Sequence, residues 1–306
     1  MIMKNRTLII VILLIICIAL PFSAAAQDVT DSIAEYYEHE ETGVSLPYRL
    51  ILPNRYNEKD TFPLIVFFHG AGERGYENEH QLDNCVQQIA DNMPHAIILV
   101  PQCTHNNQWV DTPWEDGSYS TDDVPESYEL EAVMSLVEQI SKDYQVDTQR
   151  IYAMGISMGG YAVWDVMIRH YDVFAAGVAV CGAGDPSKAE ILKDTPMFVF
   201  HGNQDITVPV TGSTDMVEAI EAIGGTKVQY TEYDGAGHGI WGDVFSSPNL
   251  YAKVQRCKLS DHYMPKQETN PILEYLPCLI ACTFGILVAV IVFISVKHRK
   301  TNRSKS

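Results

Sequence analysis

Short apolar runs recur along the chain, and their lengths and flanks predict strands. Residues 63–68 (PLIVFF), 96–100 (AIILV), 151–154 (IYAM), 175–180 (AAGVAV) and 197–200 (MFVF) are brief, continuous and followed by Gly, Pro or polar clusters. Such runs fit strands buried on both faces, as in a parallel sheet. Residues 44–53 (VSLPYRLILP) alternate and end at Pro53-Asn54, and 228–233 (VQYTEY) reads as a further strand. Between the runs the apolar positions change period. They fall at 82, 86 and 89 within Gln81–Asn92, and at 130, 133, 134, 136, 137 and 140 within Ser127–Asp143, with Ser127 as N-cap. Ser157–His170, Asp215–Ile223 and Asn249–Cys257 complete the helices. Strands alternating with helices predict an α/β fold with a mostly parallel sheet flanked by helices and no large cap domain. The longest irregular stretch, 101–125, carries Trp109, Trp114 and Tyr119 and reads as a functional or mobile loop.

The two ends follow another pattern. Lys4 and Arg6 precede an uncharged apolar run, Leu8–Leu20, and then Pro21, Phe22 and the small residues Ser23–Ala26. Basic, apolar and small segments in that order predict a signal peptide over 1–26, cleaved before Gln27; an uncleaved membrane helix is the other reading. Residues 275–296 contain no charged side chain and precede Lys297, Arg299, Lys300, Arg303 and Lys305. At 1.5 Å per residue that run reaches about 33 Å, which predicts a transmembrane helix with a basic cytoplasmic tail over 297–306. The organisation expected is therefore a catalytic domain over 27–258 outside the cytoplasm, a stalk over 259–274 and a single-pass anchor in the cell membrane.

Charge narrows the partners. The basic flanks hold seven of the 21 Lys and Arg and none of the 39 Asp and Glu, leaving 14 cations against 39 acids in the body. That surface excludes nucleic acid as a partner and leaves membrane attachment to the C-terminal helix. Hydrophobic content of 46% with 20% charged residues marks a globular body. Cys85, Cys103, Cys181 and Cys257 lack close C-x-x-C spacing, which argues against a zinc site; their pairing stays open.

The chemistry concentrates at four glycine-rich places. Gly155-Ile156-Ser157-Met158-Gly159 matches G-x-S-x-G, with a strand leading in and a helix leading out. That turn presents a serine hydroxyl at the carboxyl edge of a sheet. A hydroxyl needs a base, and His238 in GAGHG, after the strand 228–233, is the candidate. Asp205 in HGNQDITVPV follows the run 197–200 and is the candidate acid, accepting the imidazole Nδ1 proton. Asp234 is the rival, closer in sequence to His238 and read as a turn residue. The loop His69-Gly70-Ala71-Gly72-Glu73-Arg74-Gly75 follows the strand 63–68 and lacks both G-K-[ST] and dinucleotide spacing. Its small residues suit backbone N–H groups aimed at an oxyanion, with Ala71 and Met158 as the donors. Trp109, Trp114 and Trp241 are candidates for a substrate-pocket wall, with plain packing as the other reading. This chemistry asks for no cofactor and no metal.

Together, YRLILP, FPLIVFFHGAGERG, PQC at 101–103, GISMGG, HGNQDITVPV and GAGHGIW resemble, in that order, a group of secreted α/β-hydrolases. The group is similar to feruloyl and acetylxylan esterases, polyhydroxybutyrate-depolymerase-like esterases and the catalytic domain of prolyl oligopeptidases, and the resemblance covers about residues 40–257. It implies the α/β-hydrolase fold, Ser157, Asp205 and His238 as triad, and Ala71 and Met158 at the oxyanion hole. No propeller domain is present to gate peptides. The function expected is a serine carboxylesterase acting on an ester-bearing small molecule or polysaccharide. A serine peptidase for short peptides and a non-catalytic surface binding protein are the alternatives.

Overall fold

The computed structural model describes residues 28–261. The signal peptide, most of the stalk, the membrane span and the basic tail expected from the sequence lie outside the described residues. Among the described residues no helix is long and apolar enough to cross a membrane.

Eight strands form one sheet in the order β1-β2-β4-β3-β5-β6-β7-β8. They are β1 (Ile33–Glu38), β2 (Ser45–Ile51), β3 (Phe62–Phe68), β4 (Ile97–Pro101), β5 (Val146–Ile156), β6 (Ala176–Val180), β7 (Met197–Gly202) and β8 (Val228–Tyr233). β1 and β2 pair antiparallel, as do β2 and β4; every later pairing is parallel. The helices are α1 (Val86–Asn92), α2 (Tyr128–Asp143), α3 (Met158–Arg169), α4 (Ala189–Leu192), α5 (Thr211–Ala222), α6 (Trp241–Phe245) and α7 (Pro248–Val254).

The continuous apolar runs are central because both faces of the sheet are covered. Along β3, Leu64, Val66 and Phe68 face a core shared with α2, α3 and α5, while Ile65 and Phe67 face a second core with α1, α6 and α7. Side chains alternate across a strand, so a strand between two helical layers must be apolar at every position. Every residue of β3, β4 and β6 is buried. α2 begins where expected: Ser127 Oγ accepts from the Leu130 amide at 3.1 Å.

The structure departs from the sequence pattern in four places. β1 is an edge strand with five of six residues exposed, so it carries no apolar signal. β5 begins at Val146, five residues before its apolar run. Residues 101–125 are anchored: Tyr119 Oη donates to Asp165 at 2.7 Å, and the Thr121 amide and hydroxyl both donate to Asp185, at 2.7 and 2.8 Å. Finally, Leu259–Asp261 form a 3-10 turn on the domain, with the Ser260 amide donating to Gln149 Oε1 at 3.1 Å. The first three residues of the expected stalk are thus tied to the domain by hydrogen bonds, with Ser260 and Asp261 exposed.

Candidate active site

Ser157 follows β5 and precedes α3 with φ 54° and ψ −121°, a conformation L-residues avoid. The turn is this tight because glycines let the backbones touch. A Cβ on Gly155 would lie 2.2 Å from Gly159 O, and one on Gly159 would lie 2.0 Å from Phe68 O at the end of β3. The Ser157 amide donates to Val180 O at 2.8 Å, tying the turn to β6. Met158 is the first residue of α3, so its amide has no intrahelical partner and lies at the positive end of the helix.

Two loops bring an imidazole to this hydroxyl. β7 runs into the Asp205 loop and β8 into the His238 loop, and they are stitched together by Gln204 N–H to Ala236 O at 2.9 Å and Gly235 N–H to Asn203 Oδ1 at 2.8 Å. At the contact a Cβ on Gly202 would lie 2.3 Å from Gly237 O, which only glycine allows. His238 Nδ1 donates to Asp205 Oδ2 at 2.6 Å, and His238 Nε2 accepts from Ser157 Oγ at 2.7 Å. The rival acid, Asp234, is exposed and accepts instead from Asn203 Nδ2 at 2.9 Å.

Burial alone would raise the pKa of Asp205. Hydrogen bonds from His201, His238 and the Thr207 and Val208 amides outweigh it and hold the carboxyl well below the usual carboxylate range. Asp205 is therefore ionised at neutral pH and able to stabilise an imidazolium.

The loop after β3 lies against Ser157: a Cβ on Gly70 would be 3.6 Å from Ser157 Cβ. His69 holds this loop from within. It is fully buried, and burial lowers its pKa to about 4, so the ring is neutral. Its Nε2 accepts from the Cys103 amide at 2.9 Å, leaving the proton on Nδ1, which donates to Gly70 O at 2.5 Å. Arg74 Nε donates to Ala71 O at 2.9 Å and holds the same loop from without. Ala71 opens a single 3-10 turn, Ala71–Glu73, directly after Gly70.

The three tryptophans separate. Trp109 is fully buried, packs edge-on to Phe68 and His69, and donates from Nε1 to His69 O at 3.1 Å. The expectation that it walls a substrate pocket is corrected: its ring is core, and its polar edge braces the loop before Ala71. Trp114 is partly buried and lines a surface cleft with Gln108, Asp111, Thr112, Pro113 and Glu115. Its carbonyl accepts from Tyr161 Oη at 2.9 Å, in the first turn of α3. Trp241 stands edge-on to His238 with ring centroids 5.4 Å apart.

Cys181 also reaches this centre. It follows β6 with φ 49° and donates from Sγ to His238 O at 3.2 Å. Donor atoms of Cys181, Asp205 and His238 all lie within 4.8 Å of one another, a spacing a metal ion could use. Burial pushes the thiol up to about 12, and Asp205 and His238 already share a proton, so the trio favours protons over a cation. All four cysteines of the described residues are free thiols.

The Esterase family model matches residues 40–267. The chain belongs to this family. Among curated proteins, it is 23% identical over 143 residues to the bifunctional acetylxylan esterase/xylanase XynS20E of Neocallimastix patriciarum, covering 47% of this chain and 19% of that protein. It is 24% identical over 149 residues to a carboxymethylenebutenolidase homolog of Pongo abelii, covering 48% and 54%. A solved thermostable esterase shares 33% identity at a TM-score of 0.66, over 75% of this chain and 64% of that one. A ferulic acid esterase shares the fold at 19% identity and a TM-score of 0.56, over 74% and 98%. The chain thus spans about a fifth and about half of the curated relatives it matches.

Sequence reasoning on this Esterase-family chain did not separate out His69, Cys181 and His201. Each sits at or just past a strand's carboxyl end, a position that could have marked His69 and His201 as more than motif spacers.

Proposed function

We propose that the protein is a serine carboxylesterase. The observation that carries this reading is the imidazole of His238 bonded on one side to the Ser157 hydroxyl and on the other to an ionised Asp205. In the acylation step Ser157 Oγ attacks the ester carbonyl and its proton passes to His238 Nε2. Asp205 holds the Nδ1 proton and stabilises the imidazolium. The carbonyl oxygen becomes an anion facing the amides of Met158 and Ala71, the first held by α3 and the second by the His69–Arg74 braces. His238 returns the proton to the leaving alcohol. A water then repeats the sequence on the acyl-enzyme, releasing acid and restoring Ser157. No step calls for a cofactor.

The substrate proposed is an ester-bearing small molecule or a substituted polysaccharide. Acetylxylan and ferulic acid esterases among the similar proteins support that class, as does the aromatic ring of Trp241 beside His238. The place proposed is the outer face of the cell membrane, with residues 275–296 as anchor; the apolar run and its basic flank support this.

The full chain is expected to hydrolyse p-nitrophenyl acetate, and Ser157→Ala to lower kcat at least about a thousandfold. Dipeptidyl amides run beside the esters test the peptidase alternative. Undiminished ester turnover in Ser157→Ala ends the proposal.

A further inference from the structure

Asp205 serves two histidines. His201, on β7 and four residues before the acid, is fully buried. Its Nε2 lies 3.1 Å from Val208 O and 3.2 Å from Asp205 Oδ2, the same oxygen that His238 Nδ1 reaches at 2.6 Å. Both neighbours of His201 Nε2 are acceptors, so that nitrogen carries a proton. The other ring nitrogen, Nδ1, is 2.8 Å from Ser213 Oγ, itself 3.1 Å from Gly182 O, which fixes the ring plane from α5. The second carboxylate oxygen, Asp205 Oδ1, accepts from the Thr207 and Val208 amides at 2.8 and 3.0 Å. His201 Nε2–H thus lies between the two ends of a closed turn, donating to the Val208 carbonyl at its end and facing the Asp205 carboxylate at 3.2 Å at its start.

We propose that His201 is a positioning residue that holds the Asp205 carboxylate toward His238 and draws off part of its charge, so that it sets how basic His238 is. This rests on the serine-hydrolase reading of the site. An N–H dipole facing a carboxylate at 3.2 Å weakens that carboxylate's pull on a second proton. With His201 in place, Asp205 orients His238 and stabilises its charged form less than a lone carboxylate would, which leaves more neutral imidazole to act as base. The other titratable groups facing the pair are Cys181 after β6 and Tyr161 on α3. Burial keeps the Cys181 thiol protonated, up to about 12, and burial raises the Tyr161 phenol as well, so neither competes with His201 near neutral pH.

The test uses the full chain. His201→Leu removes the Nε2 donor, and His201→Gln keeps an amide donor at similar reach. In His201→Leu the acid limb of kcat/KM moves to higher pH by roughly half a unit or more, and kcat falls by roughly tenfold. His201→Gln returns the limb to the wild-type position. A purely structural role predicts lost thermal stability with an unmoved limb, and that result in a folded, fluorophosphonate-reactive His201→Leu overturns the proposal. Independently of any variant, wild-type protein labelled with ¹⁵N-histidine is expected to show His201 protonated at Nε2 at the pH of the activity assay. An unprotonated Nε2 overturns it as well. Wild type that neither hydrolyses esters nor labels at Ser157 sinks the hydrolase reading instead, and an unprotonated His201 Nε2 still overturns the His201 proposal by removing the donor that faces Asp205.

Discussion

The backbone at Ser157 stores strain that a pair of substitutions can read. Ser157 sits at φ 54° and ψ −121°, where a Cβ costs about 1–3 kcal/mol and glycine is at ease. Ser157→Ala and Ser157→Gly both delete the hydroxyl and its 2.7 Å bond to His238, so that loss cancels between them. What remains is the relief of strain in the glycine variant, set against about 0.5–1 kcal/mol of extra chain entropy that glycine loses on folding. The glycine variant should therefore be the more stable by about 1 kcal/mol, or about 2–4 °C in Tm for a domain of this size. Urea unfolding of the two full-length variants at pH 7 measures the difference, and both should be inert toward p-nitrophenyl acetate. An alanine variant as stable as the glycine one, or more so, refutes the argument that Ser157 is held in a costly conformation.

Other outcomes follow from named contacts. Gly159→Ala sets a Cβ 2.0 Å from the Phe68 carbonyl oxygen, backbone against backbone, and should destabilise the protein by about 3 kcal/mol in urea unfolding. Buried His69 is neutral when folded, with its pKa lowered to about 4 from 6.5. Its contribution is fully present above about pH 6.5 and is lost as pH falls toward 4, up to about 3 kcal/mol. His69→Asn should flatten stability between those pH values, and an unchanged slope counts against the neutral ring. Trp109→Phe leaves the His69 carbonyl without its donor, which should cost about 1–3 kcal/mol and lower kcat by loosening the loop that carries Ala71; wild-type kcat in that variant removes Trp109 from the brace.

The legible part of the fold was the part buried on both faces. β3, β4, β6 and β7 appear as apolar runs because each lies between two helical layers, and the glycines around Ser157 mark a turn with no room for side chains. β1 was silent, since an exposed edge strand has no buried face to imprint. The five residues before the apolar run of β5 were silent because most of them remain at least partly exposed. Trp109 illustrates the opposite error: an aromatic in a long loop suggests a ligand wall, yet this loop folds back into the core, and only packing distinguishes the two.

Residue type and spacing by themselves picked out the candidate groups: a serine between glycines, an acid after one strand and a histidine after another. Tertiary structure decided which acid reaches the histidine, Asp205 over the sequence-nearer Asp234. It also placed His201 beside Asp205 and set a buried His69 and Trp109 against the loop of Ala71. The physical reason is that a strand's period is local, whereas hydrogen bonds between loops 30 to 80 residues apart exist only once the sheet has set its strands side by side.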